Sequence, residues 1–209
     1  MSEPRAIADG IRELIPGLFH YGVHDERIDF PSDAFVVGTA TGVVLVDPLP
    51  LDDATIARLG AVEAIVLSVA SHQRSAWRFR RLTGAPVHAP IGAAGLDEAA
   101  DLWYGDGDRL PGGLRAIHAP GPTEAHHALY LHQGPGVLLL GDLMVHDAGG
   151  TARFLADDHM SDRERGRQSA WRLLEYRFDL LGFAHGEPIV RGGRQALELL
   201  LKADSGRAG

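Results

Sequence analysis

Hydrophobic positions along the chain fall into two patterns, short runs of branched and aromatic residues and stretches with helical spacing, and the two recur in turn. Leu18–Val23, Ala34–Thr39 and Val43–Asp47 read as strands, the last two joined at Thr41-Gly42 like a hairpin. Leu51–Leu59 reads as a helix. Ala64–Val69 is a continuous apolar run, the signature of a strand buried on both faces, and Ser75–Thr83 reads as a helix stopped by Gly84. Pro86–Ala89 predicts a short strand and Leu96–Leu102 a helix, before a polar, Gly-rich stretch over 105–113. Leu114–His118, His126–His132 and Val137–Leu140 read as strands again, with turns at Pro120-Gly121 and Gly134-Pro135-Gly136. Ser161-Asp162-Arg163-Glu164 fits a capping box and starts the longest helix, which runs to Tyr176. Leu180–Ala184 predicts a strand, Gln195–Ala203 a final amphipathic helix and Ser205–Gly209 a frayed tail. Strands in both halves, each half closing with helices, imply two packed sheets with helices outside.

The 209 residues suit one domain over 1–209 with a sizeable core, and 45% hydrophobic against 23% charged residues excludes a disordered or fibrous chain. A net charge of −8, with no basic cluster interleaved with aromatics, speaks against a nucleic-acid partner. The longest uncharged stretches, such as Ala34–Val46, fall short of the ~18 residues of a membrane span. Met1-Ser2-Glu3-Pro4-Arg5 lacks the basic start and apolar core of a secretory signal, so a cytoplasmic location is the expectation. With no cysteine, thiolate catalysis and Cys-containing zinc sites are excluded, and any metal must be held by His, Asp or Glu. Eleven His make the metal question worth asking.

Polar residues at the ends of apolar strands are the informative ones, because rigid scaffolds present functional groups there. Four such places occur: Asp47 in Val44-Leu45-Val46-Asp47-Pro48, the segment Ser68–Arg74, Asp142 in Leu138-Leu139-Leu140-Gly141-Asp142, and His185 in Phe183-Ala184-His185-Gly186. Taken in this order they resemble the metallo-β-lactamase superfamily, from about Leu18 to Leu201. The resemblance implies an α+β fold, a four-layer αββα sandwich with a zinc site along one edge of its sheets. It implies a supporting role for Asp47 in the metal loop, a metal-bridging carboxylate at Asp142 and a metal-ligating imidazole at His185. The ending Phe183-Ala184-His185-Gly186-Glu187-Pro188, followed by Gly192-Gly193-Arg194-Gln195-Ala196-Leu197, is similar to a divergent subgroup.

The departures from the superfamily pattern are large. Its His-x-His-x-Asp-His motif corresponds here to Val69, Ser71, Gln73 and Arg74, with His72 one position from a ligand slot, and its Pro-Gly-His turn is Pro120-Gly121-Pro122. The candidate metal ligands are therefore Asp142 and His185, with His72 as a third, and Asp142 and His185 are the candidate catalytic residues. Such a set could hold one zinc or other divalent ion weakly, not two, and a water on zinc reaches a pKa of about 7. Plainer roles exist for each: a turn cap for Asp142, a buried structural imidazole for His185, a solvent-facing loop residue for His72. His126 and His127 point to opposite faces of a strand, so at most one meets a site, and packing or surface roles are expected for both and for His118. Glu124 is expected as a solvated loop acid, although it stands where the missing ligand turn was. Arg74, Arg78, Arg80 and Arg81 form a basic cluster expected to be a solvated helix face, with anion binding as its alternative. Two functions follow: a mononuclear hydrolase of a small ester, lactone or thioester, or a metal-free pseudoenzyme serving as a ligand-binding or interaction module. The partner expected in either case is a small molecule, with neither nucleic acid nor membrane.

Overall fold

A computed structural model of the chain describes residues 3–146, 150 and 152–205. The first sheet contains β1 (Arg12–Ile15), β2 (Leu18–Asp25), β3 (Phe30–Gly38) and β4 (Val43–Val46), antiparallel neighbours in chain order. Helix α1 (Asp53–Arg58) leads to β5 (Val62–Val66), and α2 (Ala76–Thr83) to β6 (Val87–Pro90) and β7 (Leu102–Tyr104), so that β4 to β7 run parallel. The second sheet begins with the antiparallel meander β8 (Leu114–His118), β9 (His127–Leu131) and β10 (Val137–Leu139). A separate hairpin, β11 (Met144–His146) and β12 (Ala152–Phe154), precedes α3 (Arg163–Leu173); β13 (Leu180–Gly182) then pairs parallel with β10, and α4 (Gly193–Ser205) follows.

Alternation along the strands divides the apolar residues among three buried layers, and this produces the αββα sandwich. Val44, Val46, Ala64 and Val66 of the first sheet meet Leu129, Leu131, Val137 and Leu139 of the second. Their neighbours Leu45 and Ile65 turn the other way, onto Trp77 and Phe79 of α2. On the far side Ala128, Tyr130 and Leu138 pack with Ala170 and Leu173 of α3 and Leu197 and Leu201 of α4. Central strands are thus covered on both faces, which is why they read as unbroken apolar runs.

Some local expectations are corrected. Leu96–Leu102 is not a helix: irregular backbone leads into β7, the edge strand of its sheet. Its helix-forming residues are claimed by tertiary partners, Asp101 by Arg80 and the Val87 amide, Glu98 by Arg81, and the Asp97 amide by Gln73. Helix α3 starts one residue later than the proposed box, with Asp162 accepting from the Arg165 amide while the Ser161 hydroxyl donates to the Pro122 carbonyl. Strand β3 begins four residues ahead of the expected Ala34, and β1, β11 and β12 are too short to register as periodic patterns. Of the expected tail, residues 206–209 lie outside the described residues, as do Met1 and Ser2. No described helix is long and apolar enough to cross a membrane.

Truncating Leu129, which is wholly buried between the sheets, should cost about 2–5 kcal/mol as Leu129→Ala. Leu199→Ala, on the outer face of α4 at 59% exposure, should stay within about 0.5 kcal/mol, with both variants read by urea titration.

Candidate metal centre

Strand direction assembles the site. β4 and β5 are parallel in one sheet, β10 and β13 in the other, so each pair delivers both of its C-terminal ends to one edge. Asp47 follows β4, His72 lies in a 3-10 turn after β5, Asp142 lies in a 3-10 turn after β10, and His185 follows β13. Parallel sheets place ligand sites at carboxyl ends of strands for this reason.

His72 Nε2 is 2.9 Å and His185 Nε2 is 3.2 Å from the same atom, Asp142 Oδ1. One ligand atom from each of the three residues can be chosen so that all lie within 4.8 Å of one another. The other ring nitrogens are engaged elsewhere: His185 Nδ1 donates to the Pro31 carbonyl at 2.7 Å, and His72 Nδ1 is 3.0 Å from Asp47 Oδ2. Each ring thus has its Nδ1 committed to an outer acceptor and its Nε2 directed at Asp142, the orientation that outer-shell acceptors impose on metal-binding histidines.

Each side chain is fixed from behind. Asp47, at φ +49, accepts from the Ser68 amide at 2.8 Å and the Ser68 hydroxyl at 2.5 Å. Asp142 accepts from the Ser71 hydroxyl through Oδ2 at 3.1 Å. Its amide donates to Nε2 of buried His126 at 3.0 Å, while His126 Nδ1 donates to the Ala119 carbonyl at 2.7 Å. Gly141 makes this approach feasible: at φ +57, a Cβ there would lie 2.6 Å from His126 Nε2. Gly186 has the same necessity beside His185, where a Cβ would stand 1.9 Å from the His146 carbonyl oxygen. Asp33 uses four polar atoms on this edge. Its amide donates to the Ala184 carbonyl, its carbonyl accepts from Arg74, its Oδ1 meets His20 Nε2 at 2.7 Å, and its Oδ2 accepts from the Gly186 amide.

The electrostatics follow from burial and these partners. Burial would raise the Asp142 carboxyl, but the His72 and His185 imidazoles outweigh it and hold that group well below the usual carboxylate range. Burial and the Arg74 charge push His72 down, yet Asp142 and Asp47 together leave it raised. His126, by contrast, is lowered to about 4, chiefly by burial, and stays neutral. A cavity of about 560 Å³ opens above the three converging groups, and Phe30, Val145, Leu155, Arg153 and His159 contribute to its wall.

A family model described as metallo-beta-lactamase superfamily matches residues 14–203. The chain belongs to this superfamily. Among solved structures it is similar to the superfamily protein ST1585 from Sulfolobus tokodaii, at 16% identity and TM-score 0.67 over 88% of this chain and 85% of that one. It is also similar to the family protein TTHA1429 from Thermus thermophilus, at 20% identity and TM-score 0.69 over 93% and 81%. For the FEZ-1 metallo-beta-lactamase from Legionella gormanii the figures are 17% identity and TM-score 0.66, over 100% and 97%. These likenesses establish the sandwich. No curated protein sequence matches.

Within the superfamily fold, the three candidate ligands Asp142, His185 and His72 stand together and Asp47 stands behind His72. Two nitrogens and a carboxylate oxygen form a donor set that suits zinc, iron or manganese, so the residues present fit a single divalent ion. His72 is not a solvent-facing loop residue; it is 2% exposed. Arg74 is not part of a solvated helix face, because it precedes α2 and is buried. Arg78, Arg80 and Arg81 do lie on α2, and each meets a carboxylate. Glu124 is an exposed loop acid paired with Arg165, away from the three ligands. His127 packs among Tyr104 and His118, on the other side of β9 from the ligand cluster. His126, expected in a packing or surface role, touches the site through the Asp142 amide. The overlooked Asp33 had one visible signal, a charged residue immediately before an apolar run.

His126 supplies a pH test on chelator-stripped protein. Its folded pKa is depressed below the ordinary 6.5, so the unfolded chain binds the extra proton and stability falls as pH drops through 6.5 toward 4. Between pH 7 and pH 4 the parent should lose about 3 kcal/mol more than His126→Gln in urea unfolding.

Proposed function

We propose that the chain is a hydrolase that holds one divalent ion, zinc in the simplest case, through His72, Asp142 and His185, and that it cleaves a small ester, lactone or thioester. The observation that supports this most is the convergence of two imidazole Nε2 atoms on Asp142 Oδ1, each ring having its Nδ1 committed to an acceptor. A bound ion would supply Lewis acidity, polarising a carbonyl and making water nucleophilic near neutral pH. The protein does the rest. Asp47 and Pro31 set the ring orientations, and the Ser71 donor on Oδ2 leaves Oδ1 facing the imidazoles. The apolar wall from Phe30, Val145 and Leu155 shields an acyl group from solvent.

The competing reading, a metal-free ligand-binding or interaction module, draws on the fact that His72, Asp142 and His185 already contact one another. Elemental mass spectrometry separates the two readings, on protein purified without chelator or His-tag. The hydrolase reading expects about one equivalent of metal in the parent, lost in Asp142→Ala, His185→Ala and His72→Ala. It also expects hydrolysis of at least one member of an ester, lactone and thioester panel, reduced by about two orders of magnitude in Asp142→Asn. A parent that holds no metal after loading with zinc or manganese sinks the hydrolase reading and leaves the module.

A further inference from the structure

Arg74 is the buried cation that the chemistry above does not use. Only 3% of it is exposed, and it follows directly on the 3-10 turn that carries His72. Its backbone stands at φ +25 and ψ −109, a sparsely populated conformation for a residue with a side chain. Such a conformation is strained and persists only where surrounding contacts enforce it. The guanidinium at the end of this side chain makes three contacts with backbone carbonyls. Nη1 donates to the Asp33 carbonyl at 2.9 Å and reaches the Asp47 carbonyl at 3.4 Å, and Nη2 reaches the Ala184 carbonyl at 3.4 Å.

These three carbonyls belong to segments far apart in the chain, and each adjoins a site residue. Asp47 is the residue behind His72. Ala184 immediately precedes His185. Asp33 holds the Gly186 amide through its carboxylate and the Ala184 carbonyl through its amide, and Pro31 of the same strand accepts from His185. The guanidinium therefore spans the end of β4 in one sheet and the end of β13 in the other, with β3 between them. A planar fork can donate in several fixed directions at once; an ammonium at the end of a flexible stem donates from a single nitrogen.

We infer that Arg74 is a positioning residue that clamps the strand ends of both sheets, holding Asp47 and His185 in the mutual register in which His72, Asp142 and His185 converge. The metal-affinity part of this inference rests on the proposed metal centre; the clamp itself does not. In the chelator-stripped protein, Arg74→Met removes all three donors and keeps an apolar stem. Amide-resolved hydrogen exchange should then accelerate by about tenfold or more at Asp33, His146 and Gly186, whose amides bond across this edge, while Ala116 in the second sheet keeps its rate. Arg74→Lys, which retains the charge and reaches one side of the gap, should give a smaller acceleration at the same amides. In zinc titrations against a chromophoric chelator, Arg74→Met should weaken binding about ten- to hundredfold and Arg74→Lys less.

Exchange that is unchanged in both variants, or that rises equally at Ala116, overturns the clamp. Tighter zinc binding in Arg74→Met with parental affinity in Arg74→Lys overturns it as well, since that pattern marks simple charge repulsion of the ion. A parent that binds no zinc removes the metal reading alone, and the exchange data then decide Arg74 by themselves. If Arg74→Met does not fold, Arg74→Lys carries the same exchange comparison.

Discussion

Leu18, Phe35, Val46, Leu129 and Leu180 fill the middle of the layer between the two sheets, and all are buried. A charge buried there without a partner would be costly. The carboxylates Asp47 and Asp142 stand at strand ends instead, and parallel pairing in both sheets brings four such ends to one edge. Asp142 is the meeting point, because a single carboxylate oxygen faces an imidazole from each sheet. The geometry of that atom depends on the packing of the whole sandwich.

Around this point, polar atoms are satisfied in chains. Asp47 stands between Ser68 and His72, Asp33 between His20 and the Gly186 amide, and His126 between the Ala119 carbonyl and the Asp142 amide. Buried networks of this sort are favourable only when every member is paired, and removing one partner strands another. Two glycines complete the arrangement at Gly141 and Gly186, where the backbone passes too close to His126 and to the His146 carbonyl for any side chain.

The layered fold was legible because its central strands are covered on both sides: Val43–Val46 and Ala64–Val66 are apolar at every position, and Gly84 marks the end of α2 by its left-handed conformation. The candidate ligands were legible for a related reason, since a polar residue at the end of such a run stands out. Leu96–Asp101 misled because helix propensity is weak against tertiary partners, in this case the arginines of α2. Arg74 misled because spacing from Arg78 and Arg81 assumes a continuous helix, and the chain breaks from helical geometry at Arg74 itself. The importance of Asp33 and His126 is a matter of distance across the sheets, 13 residues from Asp33 to His20 and 16 from His126 to Asp142, which no local pattern encodes.

The pairing of α2 with the segment before β7 has a different kind of consequence. Arg80 and Arg81 meet Asp101 and Glu98 at the surface, and exposed pairs of this sort weaken as dissolved ions crowd around them. The contacts among Asp47, His72 and Asp142 are buried and largely shielded from such screening. Ionic strength therefore acts unevenly on the molecule. In concentrated salt the segment beside β7 loosens first, exposing the unpaired edge of the first sheet together with Leu102 and Trp103, which already face solvent, while the buried contacts of Asp142 hold.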